Sequence, residues 1–89
     1  MLDKCFSKNK DIPYRVIEGE AILVDVEEGE VIHLNEVGAL IWEAIDGKNK
    51  VSDIVNCVCN DFEVNQSEAR KDVVSFLKEI LEKEVITDE

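Results

Sequence analysis

The stretch at residues 29–47, GEVIHLNEVGALIWEAIDG, changes from a strand pattern to a helix pattern at a single residue. Residues 30–34 have the β-branched and apolar composition of a strand. Asn35 follows, and its side chain can accept a backbone N–H from the first turn of a helix. Apolar residues then recur at helical spacing, at Val37, Leu40, Ile41, Ala44 and Ile45. Asp46 and Gly47 end this helix, with Gly47 suited to a left-handed C-cap, so a sheet precedes the junction and helices follow it.

Two more strands are predicted before this junction, at residues 14–17 and 21–26. Glycine-containing turns at residues 18–20 and 27–29 separate the three strands, which indicates an antiparallel meander. Alternation along the second strand places Ile22, Val24 and Val26 on one face and Leu23 and Asp25 on the other. Such a small sheet needs another element to cover one of its faces.

Two more helices are predicted after the junction. Residues 51–61 carry apolar side chains at helical spacing. The last helix begins after Asn65, which forms a capping-box pattern with Glu68, and runs to about Lys83. Its inward stripe is Ala69, Val73, Phe76, Leu77 and Ile80. The order β-β-β-α-α-α predicts a small α+β domain, a three-stranded antiparallel sheet followed by three helices in a winged-helix-like arrangement.

The organisation of the chain is that of one folded domain with a short arm. Residues 1–12 are polar and without period, so we expect a flexible N-terminal arm. The folded domain then spans residues 13–89, enough for one modest core. The chain has three cysteines, and Cys57 and Cys59 lie about 200° apart around a helix axis. We therefore expect reduced thiols rather than a disulfide or a zinc site.

The net charge of −11 argues against several classes of partner. A field of this sign repels phosphate backbones and anionic lipid surfaces, so we expect no nucleic acid and no membrane as partners. No apolar run approaches the roughly 20 residues that span a bilayer. The N-terminus has no apolar signal-peptide core either, which predicts a cytoplasmic protein.

The sequence shows no catalytic constellation. His33 is its only histidine, so neither a metal site nor a catalytic triad has the residues it needs. No P-loop, dinucleotide-binding glycine motif or HExxH motif is present. Trp42 lies off the centre of its helix stripe, which favours packing at the edge of the core. We therefore predict a protein without catalytic residues, metal or cofactor.

Two features could instead form a binding surface. The strand of Val31, Ile32, His33 and Leu34 could be a sheet edge, open to another strand. Val74 and Leu81 widen the apolar stripe of the last helix, and Arg70, Lys71 and Lys78 border it. Side by side, edge and helix would form a groove for an extended, partly acidic peptide. Alternatively, the two apolar residues are ordinary core and the three cations only solvate the helix.

The sequence also resembles the PqqD-like family of RiPP precursor peptide recognition elements. The resemblance covers about residues 14–86 and is carried by Gly29, Leu34-Asn35, Gly38, Ile41-Trp42, Asp46-Gly47, Val51, Ile54-Val55, Asp61-Phe62, Asp72-Val73 and Phe76-Leu77. The quinone-cofactor members carry a Tyr-Pro-Glu-Gly-like turn where residues 26–29 read VEEG here. The resemblance therefore implies the broader peptide-recognition role rather than pyrroloquinoline quinone synthesis.

The resemblance implies a stand-alone, non-catalytic peptide chaperone. The leader of a ribosomally made precursor peptide would add as a strand to residues 31–34. Its side chains would lodge against the last helix around Arg70, Val74, Leu77, Lys78 and Leu81. The chaperone would then present the precursor to a modifying enzyme, such as a radical SAM maturase or a leader peptidase.

Other hypotheses remain open at the level of sequence. One is a winged-helix regulator that binds DNA, which the net charge opposes. Another is a structural adaptor that docks on a maturase without binding the peptide. A homodimer is a further prediction, because an exposed strand edge can pair with its twin.

Overall fold

The computed structural model describes residues 2–88 as five strands and three helices. In chain order these are β1 (Phe6–Lys8), β2 (Tyr14–Ile17), β3 (Glu20–Asp25), β4 (Glu30–Leu34), α1 (Glu36–Ala44), α2 (Val51–Phe62), α3 (Gln66–Glu82) and β5 (Ile86–Asp88). The predicted α+β class is confirmed, as is the three-stranded antiparallel sheet followed by three helices. The strand predicted at residues 30–34 is β4.

The main sheet has the order β2-β3-β4, with both pairs antiparallel. Its inner face is formed along β3 by Ala21, Leu23 and Asp25, all of them buried. The predicted alternation is confirmed, and Val24 and Val26 are exposed on the opposite side. α1 packs on the inner face against β3 and β4. The strand order makes β2 and β4 the two edges of the sheet.

The core lies between this inner face and the helices. Each helix contributes its buried stripe, which in α2 is Val51, Ile54, Val55 and Val58 and in α3 is Ala69, Val73, Leu77 and Ile80. The predicted spacing is confirmed for these residues, whereas Phe76, predicted to belong to the inward stripe of α3, is only partly buried at its side. Because the stripes repeat every three or four residues, each helix has a polar face left over for solvent.

Trp42 belongs to the buried core, beneath the partly exposed side chains of Lys8 and Tyr14, and it is more deeply buried than the core-edge position expected from the sequence. Its side chain is wholly buried, Tyr14 packs edge-on at 5.3 Å between ring centroids, and Lys8 Nζ lies 5.4 Å from the ring centroid. Burial lowers the pKa of Lys8. The indole N–H has no hydrogen-bond partner within residues 2–88, so this buried donor lowers the stability of the fold. An edge position was predicted because the segment that contains Lys8, whose ammonium group lies over the Trp42 ring, has no periodic pattern in the sequence.

A second, two-stranded sheet joins the ends of the chain. β1 pairs antiparallel with β5, in the register Phe6↔Asp88 to Lys8↔Ile86. Part of the predicted arm is therefore paired, and Phe6 is buried. The pairing depends on a partner at the opposite end of the sequence, which local composition does not reveal. Met1, at the start of the predicted arm, and Glu89, at the end of the predicted domain, lie outside the described residues.

The junction between β4 and α1 forms as the sequence predicts. Asn35 Oδ1 accepts the backbone N–H of Gly38 at 2.9 Å. Gly38 is packed so closely that an added Cβ would lie 3.3 Å from both Leu34 Cβ and Phe76 Cε1. A glycine at this position therefore lets α3 approach the start of α1. The helix ends at Ala44, earlier than predicted, and Gly47 takes its positive φ of 79° in the turn that follows.

Asp46 stabilises this turn and gives it a pH dependence. Its Oδ1 accepts the backbone N–H groups of Asn49 at 2.8 Å and Lys48 at 2.9 Å. These hydrogen bonds lower the pKa of the Asp46 carboxyl from its usual 3.8. Since the folded state favours the charged form, the stabilisation is complete above that value and is lost as the pH falls through the folded pKa.

We therefore expect Asp46→Ala to lower the free energy of unfolding near neutral pH. The difference from the wild-type protein should shrink in acid, below pH 3.8. Urea unfolding over a series of pH values measures this directly. Glu27→Ala, which removes an exposed carboxylate outside this turn, is the control for a general loss of negative charge. A difference that stays constant with pH would contradict the assignment to Asp46.

Candidate functional site

A groove runs between the free edge of β4 and α3, and we call it the β4–α3 groove. Its first part encloses about 310 Å³ and is lined by Ile32, His33, Leu34, Asn35, Gly38, Phe76, Glu79, Ile80 and Lys83. It continues past the start of α1, where a further 360 Å³ is lined by Asn35, Val37, Gly38, Ile41, Asp72, Ser75, Phe76 and Glu79. The two parts share Asn35, Gly38, Phe76 and Glu79, so they form one continuous surface. The predicted juxtaposition of strand edge and last helix is present.

The main chain of β4 has groups that point into the open edge. Val24 N–H donates to Pro13 C=O on the β2 side, so the neighbouring residue Leu23 directs its own N–H and C=O toward β4. Its partner there is Ile32. The alternation of an antiparallel strand then turns the N–H and C=O groups of Val31 and His33 away from β3. These groups are available to a further strand.

The wall of the groove on α3 is one face of that helix. Asp72, Phe76, Glu79 and Lys83 are separated by three or four residues, so they lie on one side of the helix. Phe76 is half-buried and faces Gly38 across the groove. An apolar floor therefore lies in the middle of the groove, with charged side chains toward its ends.

The helix residues predicted for the site lie on other faces of α3. Leu77 is wholly buried in the core, and Val74 and Leu81 pack against that core half-buried. Val74 and Lys78 each lie two residues from Phe76, which is about 160° around the axis. Arg70, Lys71 and Lys78 are exposed. Lys78 and Leu81 border a further open depression, which meets the groove at Ser75 and Glu79 but contains no residue of β4.

Of the predicted site residues, the structure therefore brings together Ile32, His33 and Leu34, beside the outward-pointing main chain of Val31. It places Arg70, Lys71, Val74, Leu77, Lys78 and Leu81 away from the surface that faces β4. Hydrophobic periodicity shows which face of α3 is apolar. It does not show which side of that face lies against the edge of the sheet. A sequence signal for the wall seen in the structure did exist, since Gly38 inside a helical pattern indicates a close approach of another element.

The opposite edge of the sheet has a smaller depression. About 260 Å³ is lined by Val16, Gly19, Glu36, Ala39, Leu40, Glu43, Asp61 and Phe62. Val16 lies on β2 and is 41% exposed. This edge is therefore also open, and it serves as an internal comparison for any strand-addition experiment on β4.

The described residues offer little other chemistry. No group of three or more His, Cys, Asp or Glu side chains within residues 2–88 is arranged to hold a metal ion. Cys57 is exposed, Cys59 is partly buried against the core, and both are free thiols, as is Cys5. None of the helices in this part of the chain is long and apolar enough to cross a membrane.

Comparison by sequence identifies one family. The family model described as Coenzyme PQQ synthesis protein D (PqqD) matches residues 20–86, which spans β3 to the beginning of β5. Among curated protein sequences, none matches the chain. The resemblance found from the residue pattern is thereby confirmed.

Comparison by structure gives the same fold. The chain is similar to "TbiB1 in Complex with the TbiA(beta) Leader Peptide", with a TM-score of 0.81, 22% identity, and coverage of 90% of this chain and 93% of that one. It is similar to a "Lasso peptide synthetase B1 complexed with the leader peptide" (TM-score 0.79, 21% identity, 91% and 95% covered). The third is the PqqD truncation of Methylobacterium extorquens PqqCD, described as a functional and stand-alone RiPP recognition element (TM-score 0.73, 18% identity, 91% and 86% covered). At these identities the likeness establishes the shared fold.

Proposed function

The chain belongs to the PqqD family, and we propose from this that it is a non-catalytic chaperone for a ribosomally made precursor peptide. The leader of that precursor binds as an additional strand on β4. One observation carries the proposal, namely that the open edge of β4 lies beside a groove whose other wall is α3. Two of the structural neighbours were determined with leader peptides, which supports the same class of ligand.

The two walls of the groove have different tasks in this proposal. The N–H and C=O groups of Val31 and His33 pair with the main chain of the leader, which contributes affinity with little regard to its sequence. Every second side chain of the added strand turns toward Phe76 and Gly38 on the floor. The floor and the charges around it therefore select among leaders, and β4 holds whichever leader fits.

Delivery to a modifying enzyme completes the proposed role. A radical SAM maturase or a leader peptidase would receive the precursor while its leader is held on β4. The depression beside β2 lies at the opposite edge of the sheet, so the sheet has room for an enzyme that leaves the leader in place. The cytoplasmic location and the identity of the enzyme stay predictions.

An amide NMR titration tests the proposed site. We expect the leader of a precursor peptide to shift the amide signals of His33, Gly38, Phe76 and Glu79, because these residues line the groove. The signal of Val31 is expected to shift with them, because its main chain points into the open edge of β4. A scrambled leader of the same composition is the control. Shifts confined to Val16 and Leu40 would move the site to the other edge, and saturating leader without shifts would contradict peptide binding.

A homodimer is the competing use of the same edge. If two copies pair through β4, the molecular mass in solution is doubled and the leader must displace one copy to bind. Sedimentation of the protein with and without leader separates the two cases. A molecular mass that falls when leader is added would show that the second copy and the leader compete for the edge of β4.

A further inference from the structure

The two basic side chains of the β4–α3 groove, Lys83 and His33, both have acidic partners within the chain. Lys83 Nζ lies 2.7 Å from Glu30 Oε1, and His33 Nε2 lies 2.9 Å from Glu20 Oε1, an ion pair when the histidine is protonated. The hydrogen bond from Lys83 to Glu30 raises the pKa of the lysine, so Lys83 stays charged and engaged. Neither Lys83 nor a protonated His33 is therefore free to pair with an acidic ligand.

The two anions of the groove are in the opposite situation. Asp72 and Glu79 are exposed, and within residues 2–88 neither carboxylate forms a hydrogen bond or an ion pair. Phe76 lies between them on the same face of α3. The groove therefore presents an apolar centre with a carboxylate free of hydrogen bonds on each side, and Glu79 interacts with Lys83 only through the longer-range attraction of their charges.

We propose that the segment bound in this groove is apolar and basic, with an apolar side chain over Phe76 and a lysine or arginine two residues away on either side. The proposal rests on the proposed function, and it names the class of leader. Along the axis of α3, Asp72 lies about 6 Å from Phe76 and Glu79 about 4.5 Å. Same-face residues of a strand are about 6.6 Å apart. A strand that follows α3 thus brings its second neighbours close to the two carboxylates.

This conclusion reverses the charge expected from the sequence. A partly acidic peptide was expected because Arg70, Lys71 and Lys78 border an apolar stripe. In the structure these cations lie outside the surface that faces β4. The net charge of −11 acts in the same direction, since it attracts a basic segment and repels an acidic one.

Three synthetic peptides test the charge preference. Each is a capped strand of nine residues with leucine at its centre, and the residue two positions to either side is lysine, glutamine or glutamate. Binding is followed by the amide signals of Val31, His33 and Phe76. We expect the lysine peptide to bind about tenfold more tightly than the glutamate peptide at low salt, and the difference to shrink at about 0.5 M salt.

Two double variants of the protein make the test specific to the groove. Asp72→Lys with Glu79→Lys is expected to reverse the order of the peptides. Arg70→Glu with Lys78→Glu makes an equal number of charge reversals on α3 outside the groove, and it is expected to leave the order unchanged. If the second pair changes the order and the first does not, the site lies where the sequence placed it.

The neutral peptide separates the two possible failures. If the glutamine peptide shifts β4 but the glutamate peptide binds as well as the lysine peptide, the charge preference is wrong and strand addition stands. If none of the three peptides shifts Val31 or His33, the groove is not a peptide site, and both proposals are overturned.

Discussion

Val31→Pro is expected to weaken leader binding at least about tenfold, because it removes one main-chain hydrogen bond and sets a ring against the incoming strand. The N–H of Val31 points to the open edge of β4, so the substitution removes no bond between β3 and β4. Proline is tolerated on an edge strand for that reason. The side chain of Val31 is 66% exposed, and its loss should cost the core little.

The matched control is the same substitution on the other edge. The C=O of Pro13 accepts the N–H of Val24, so Arg15 and Ile17 also turn their main-chain groups toward β3, and Val16 lies between these two residues. Its own N–H points outward, so Val16→Pro disturbs β2 as Val31→Pro disturbs β4. We expect Val16→Pro to bind the leader as the wild-type protein does.

Isothermal titration calorimetry with the leader gives both affinities, and far-UV circular dichroism shows that both variants are folded. Equal affinity of Val31→Pro and the wild-type protein would show that the leader does not pair with β4. A loss confined to Val16→Pro would assign the leader to β2 and to the depression that Leu40 and Phe62 line.

The elements that the sequence predicts correctly are those whose signals are local. Asn35 caps α1 and Asn65 caps α3 through a backbone N–H three residues ahead. The alternation in β3 likewise depends only on neighbours in the chain. Each such signal is complete within one or two turns of a helix or one strand, so it can be recognised without knowledge of the tertiary fold.

The parts that the sequence does not predict are those that depend on distant partners. β1 exists because β5 lies beside it, and neither strand has a pattern of its own. The side of α3 that lines the groove is not predicted from the sequence for a related reason. Phe76 and Val74 border the same core stripe from opposite sides, and only the packing of α3 beside β4 decides which of them faces the edge. That choice also decides whether acidic or basic side chains of α3 border the groove.

Phe6→Ala is expected to lower the free energy of unfolding by about 3–5 kcal/mol, the usual cost of removing a buried phenylalanine side chain. Phe6 is only 2% exposed, although it lies in the stretch that composition predicts to be a flexible arm. Its backbone C=O also accepts the N–H of Gly47 at 2.9 Å, so it fixes the turn after α1. A domain of this size has a total stability of about 5–15 kcal/mol, of which this is a large part.

Leu2→Ala is the matched control, because Leu2 belongs to the same segment and its side chain is 37% exposed. Urea unfolding of the two variants measures the difference. A large loss for Phe6→Ala beside a small one for Leu2→Ala would show that β1 is part of the folded domain. If both variants unfold as the wild-type protein does, the segment contributes nothing to stability and the flexible arm is the better description. The result bears on the site as well, because β5 directly follows α3, and the β1–β5 pairing holds the end of that helix beside β4.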